Sequence, residues 1–102
     1  MVDGFRYEPS TITVEPGQTV TFVNDSSDIH TVTGLQESLP SSASYFASGD
    51  FDSESAARDD VQRGFVEPGD DYSVTLEEPG TYGYFCIPHE TSGMRGTIVV
   101  EG

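Results

Sequence analysis

Lysine is absent from this chain, and four arginines stand against 18 aspartates and glutamates, a formal net charge of −14 over 102 residues. So little positive charge excludes nucleic-acid binding through a basic face and attraction to anionic lipid. Metal-binding side chains are as scarce: one cysteine, two histidines, and two methionines of which one is residue 1. A single cysteine makes no internal disulfide, so the fold stands on packing and on whatever a metal adds. No apolar run reaches the ~18 residues that cross a bilayer as a helix. No charged start followed by an apolar stretch marks a secretory signal either. Strand patterning begins almost at once, at Phe5. The expectation is therefore a mature domain excised from a longer precursor, with Met1 added for expression; a cytoplasmic chain is the alternative.

The length suits one domain, residues 1–102, large enough for a single core without disulfides. Low hydrophobicity with high charge can mean disorder, but the apolar residues here are periodic. Ile12 and Val14, then Val20, Phe22 and Asn24, alternate as two strands around the turn Glu15-Pro16-Gly17-Gln18. A polar loop follows, then a short strand from Ile29 to Thr33 that carries His30. Tyr72, Val74 and Leu76 alternate after the turn Pro68-Gly69-Asp70-Asp71, Thr81 to Cys86 is an aromatic strand, and Thr97 to Val100 closes the chain. Seven to eight short strands with regular turns predict an all-β Greek-key sandwich. Residues 34–64 break the pattern as an irregular insert. Ser53 to Arg63 reads there as a short helix capped by Asp52 or Ser53, with Tyr45, Phe46 and Phe51 tucking the insert onto the body. The carboxylate density, with no lysine at all, is read as adaptation to high salt, where counter-ions screen the repulsion; an ordinary acidic secreted domain is the plainer alternative.

Against this scarcity, Cys86, His89 and Met94 fall inside one eleven-residue stretch, Tyr84 to Met94, and His30 lies upstream. Singly, a lone cysteine is usually a small buried hydrophobe, a lone histidine a hydrogen-bonded residue and a methionine packing. Together they are a thiolate, two imidazoles and a thioether, the ligand list of a trigonal His₂Cys copper site with a weak axial Met. A tight C-x₂-H-x₄-M loop can bring three of them to one metal. Pro88 stiffens it, and Gly93 allows an unusual backbone angle before Met94. A sandwich sets the strand near 30 beside the strand near 86.

The chain resembles the cupredoxins, plastocyanin-like and nearest to the halocyanins of haloarchaea. The likeness is carried by Phe5 to Gly17, Val20 to Asn24, Gly80 to His89 and Gly93 to Val100, and by an insert stretch from Tyr45 to Glu54. The resemblance implies that His30, Cys86, His89 and Met94 bind one copper ion. The function implied is a type 1 blue-copper electron carrier, not an enzyme, cycling Cu(I)/Cu(II) in a respiratory-type chain. It is expected to be a monomer on the outer face of the cell membrane, tethered in its precursor, with a membrane cytochrome or terminal oxidase as redox partner and no small-molecule substrate. Electrons are expected to pass at the exposed edge of His89, ringed by Ile87, Pro88 and Leu35. Two positions depart from plastocyanins. Thr31 stands where they usually carry Asn after the first His, and its hydroxyl is suited to bond across the two ligand loops. Phe85 stands where plant plastocyanins carry Tyr at a docking patch, so that docking route does not transfer. Other readings are a copper-delivery protein, the electron-input domain of a larger redox protein, and zinc as the native metal.

Overall fold

Two turns of the same chemistry divide the strands. In Glu15-Pro16-Gly17-Gln18 proline presets φ at the second position and Gly17 takes φ 87° at the third, closed by Gln18 N–H to the Glu15 carbonyl at 3.1 Å. Glu67-Pro68-Gly69-Asp70 repeats this, with Gly69 at φ 88° and a closing bond of 2.9 Å. The structure, a computed structural model, describes residues 1–102. Its strands are β1 (Thr11–Val14), β2 (Thr19–Val23), β3 (Thr33–Gly34), β4 (Asp71–Thr75), β5 (Gly80–Phe85) and β6 (Arg95–Val100). One sheet has the order β1-β6-β5-β3, the other pairs β2 with β4. β1 runs parallel to β6, and the other pairs are antiparallel.

The expected all-β, two-sheet architecture is present. Its continuous strands number six rather than seven or eight, and further pairings survive as single bridges, Val2 to Asp25 and His30 to Val66. The second bridge cannot lengthen. Pro68 has no N–H to offer the Asp28 carbonyl, which accepts from Asn24 Nδ2 instead, at 2.8 Å. On the other side Val32 N–H turns to Ser48 Oγ at 3.0 Å. The expected strand from Ile29 to Thr33 is thus one bridge at His30, followed by the short β3.

Alternation places Val20 and Phe22 of β2, Tyr82 and Tyr84 of β5, and Ile98 and Val100 of β6 in one core with Tyr7, Val32 and Leu76. Tyr84 meets Tyr7 and Phe22 edge-on, at centroid distances of 4.8 and 5.0 Å, a geometry that adds about 0.5–1.5 kcal/mol per pair beyond burial. The outward faces of β2 and β4 pair Thr19 with Thr75 and Thr21 with Ser73 through their hydroxyls.

The insert carries one helix, α1 (Glu54–Asp59), capped by Ser53, whose Oγ accepts Ala56 N–H at 3.1 Å. It is shorter than the predicted span. The backbone leaves helical angles at Asp60 (φ −140°), and a 3₁₀ turn over Val61–Gly64 brings Arg63 over the Phe51 ring. Phe46 enters the main core, Phe51 packs with Ala47 and Ala57 in a second cluster, and Tyr45 donates its hydroxyl to the Gly34 carbonyl. No helix is long and apolar enough to cross a membrane.

Candidate metal centre

The aromatic strand β5 pairs with β3 and β6 and delivers Cys86 to one end of the sandwich. Beyond it the chain curls back on itself. Cys86 N–H donates to the Met94 carbonyl at 3.0 Å, His89 N–H to the Cys86 carbonyl at 3.2 Å, and Met94 N–H to the His89 carbonyl at 3.3 Å. Gly93 takes φ 79° in this return, a left-handed angle that glycine adopts without a Cβ clash. Pro88 sits in the first turn, where its missing N–H costs nothing. The curl puts Cys86, His89 and Met94 at one locus, with Cys86 and Met94 buried together and His89 partly exposed.

His30 reaches the same locus from the other loop and is fully buried. Its Nδ1 lies 3.2 Å from His89 Nδ1 and 3.7 Å from Cys86 Sγ, while His89 Nδ1 lies 3.4 Å from Cys86 Sγ. The point equidistant from these three atoms is about 2 Å from each, the bond length of a transition-metal ion to imidazole nitrogen. The donors therefore fit one ion held in the plane of a thiol sulfur and two imidazoles. Met94, a thioether in the adjoining core, completes a potential single copper site. That donor set suits copper.

The chemistry has a counterpart among known proteins. Residues 2–101 match the family model described as copper binding proteins, plastocyanin/azurin family. The chain belongs to that family. It is 37% identical over 95 residues to plastocyanin of Scenedesmus fuscus, covering 93% of this chain and 86% of that protein. It is 35% identical over 96 residues to the chloroplastic plastocyanin of Chlamydomonas reinhardtii, where the match covers 94% of this chain and 59% of the longer protein. A reduced Cu(I) amicyanin variant superposes with a TM-score of 0.70 at 29% identity, covering 98% of this chain and 77% of the other. The protein is thus a plastocyanin-like blue-copper electron carrier.

Burial shapes the protonation of the site. It pushes the Cys86 thiol up, against the opposing pull of the N–H groups of Thr31 and His89. It lowers His30, helped by the neighbouring His89, so that a neutral imidazole is favoured, the form with a lone pair to give. Ser26 settles which nitrogen carries it. Its hydroxyl has one proton, and Asn24 Oδ1, an acceptor 2.6 Å away, takes it. Ser26 Oγ, 2.8 Å from His30 Nε2, then accepts from that nitrogen, which leaves Nδ1 unprotonated and facing Cys86. Asn24 is itself fully engaged: it donates to the carbonyls of Asp28 and Val66 and accepts from the N–H and hydroxyl of Ser26.

Thr31 ties the two ligand loops together, as its hydroxyl was suited to do. Its Oγ1 accepts Ile87 N–H at 2.9 Å across the two loops, its own N–H points to Cys86 Sγ at 3.4 Å, and its carbonyl accepts the Tyr7 hydroxyl at 2.6 Å. Phe85 is buried beneath Arg58. One neighbour of His89 was not expected. Leu35 lines a charged groove with Glu90 and Arg95, and Ile87 packs on the Ala47–Phe51–Ala57 cluster. The residue lying on the imidazole is Phe5, stacked at 4.1 Å and 15°. It is presented by the turn through Gly4 (φ 92°), which is pinned where Ser27 donates its N–H and hydroxyl to Asp3 Oδ1. The roles of Asn24, Ser26 and Phe5 escaped the sequence reading. Only Asn24 carried a signal, as a polar residue at an inward position after Val20 and Phe22.

Proposed function

We propose that this protein is a mobile or tethered one-electron carrier whose single copper ion would be held by His30, Cys86, His89 and Met94. The convergence of Cys86 Sγ and the two Nδ1 atoms supports this most strongly. When bound there, copper supplies reversible Cu(I)/Cu(II) chemistry. The protein supplies a fixed frame. Backbone bonds within 86–94, the Thr31 bridge and the Ser26–His30 contact hold the donors in one arrangement through both charge states, which keeps reorganisation small. The Met94 thioether favours copper over zinc, which gains little from such a ligand. Coulometric titration of the copper-loaded protein is expected to take up one electron per chain reversibly. Tight copper uptake without reversible cycling would instead indicate delivery or storage.

The partner is a redox protein, and we assign it as a membrane cytochrome or terminal oxidase in a respiratory-type chain. Electrons pass at His89, whose exposed surroundings are Phe5 and Pro88. A small apolar contact suits a complex that forms and dissociates quickly. Pro88→Asp is expected to slow partner oxidation about tenfold while leaving the copper spectrum unchanged. Equal slowing by Gln18→Glu, a new charge in the β1–β2 turn at the far end of the sandwich, would remove the docking role.

The charge of −14 and the insert support a halocyanin-like carrier, outside the cytoplasm in a high-salt setting. Counter-ions would then screen the carboxylates, and the melting temperature should climb as KCl rises. A flat or falling melting temperature would contradict that placement.

A further inference from the structure

The four arginines are few enough to follow individually, and one joins the insert to the ligand loop at two points. Arg58, on α1, donates from Nη1 and Nη2 to the two carboxylate oxygens of Glu90 at 2.8 and 2.9 Å. The same guanidinium lies 4.7 Å from the centre of the Phe85 ring. Phe85 immediately precedes Cys86, and Glu90 immediately follows His89. Arg58 is itself aimed by Glu54, whose Oε2 accepts its Nε–H at 3.0 Å. Glu54 and Gln36 fix one another, each side-chain oxygen accepting the other's backbone N–H at 3.0 Å.

We propose that Arg58 is a positioning residue: a clamp through which the 34–64 insert holds the ligand loop at its start and its middle. An isolated exposed ion pair does little. A planar fork that meets a carboxylate with both arms while its face covers an aromatic ring restricts both partners at once. The loop it spans has its own backbone return, closed by the N–H groups of His89, Gly93 and Met94, and the clamp makes opening of that return rarer. The insert thus preorganises the donors. This rests on the copper reading only in giving the loop a metal to hold.

The test is amide hydrogen exchange on the copper-free protein, so its outcome is separate from whether copper binds. In Arg58→Met, which keeps the apolar stem, the amides of His89, Gly93 and Met94 are expected to exchange about tenfold faster. Those of Tyr82 and Ile98 should be unchanged. Arg58→Lys should fall between, because it keeps the charge and loses the fork. Arg63→Met is the control: Arg63 lies 4.7 Å from the centre of the Phe51 ring in the same insert and is expected to leave the loop amides alone. Unchanged loop exchange in Arg58→Met, or equal acceleration by Arg63→Met, would overturn the clamp.

Discussion

Asn24→Ala is expected to lower the unfolding free energy of the copper-free protein by about 3 kcal/mol, a large share of what a domain this size holds in reserve. The side chain is almost fully buried and makes four hydrogen bonds. Its loss leaves the Asp28 carbonyl and the Ser26 N–H without that partner in a half-buried loop, and the buried Val66 carbonyl with His30 N–H alone. Each such orphan costs about 1–3 kcal/mol, and the sum falls short of additive because the loop relaxes. Metal binding should weaken as well, since Ser26 would turn its proton elsewhere and His30 would lose the contact that fixes its tautomer. Denaturant unfolding measures the first effect. A loss below about 1 kcal/mol would mean that Asn24 is not the hub of this loop.

Cys86→Ser is expected to abolish intense visible absorption on copper addition and to weaken copper binding by more than about a hundredfold, because removing outer-shell partners alone costs 10–100-fold. A serine hydroxyl is the right size for the buried site but gives no soft, anionic donor near neutral pH. Met94→Leu should act differently. It removes only a weak axial donor that favours the oxidised ion, so the visible band should persist and the potential should rise. A fall in potential, or a lost band, would remove Met94 from the axial role.

These variants mark how far the sequence was legible. Strand periodicity was enough to place Val20, Phe22 and Leu76 inside, because a sheet with one buried face writes its register into alternate residues. The Pro-Gly turns were legible for an equally local reason. The scarcity of soft ligands directed attention to Cys86, His89 and Met94, and their spacing encodes a tight return. What remained hidden was long-range and mediated by side chains. Phe5 reads as the first residue of a strand, yet stacks on His89 from the far end of the chain. Ser26 is one serine among several, and only the fold brings it to His30. Pro68 shortened a predicted strand by withholding an N–H from a residue forty positions earlier, Asp28. The insert showed no period, and its meaning lies in where Arg58 points.

The central claim is a redox-active copper bound through Cys86, and the visible spectrum tests it most directly. Purified protein in high KCl is given Cu(II), then ascorbate, then an oxidant. An intense blue band is expected that bleaches on reduction and returns on oxidation. A colourless protein, folded by circular dichroism and free of zinc, would contradict it.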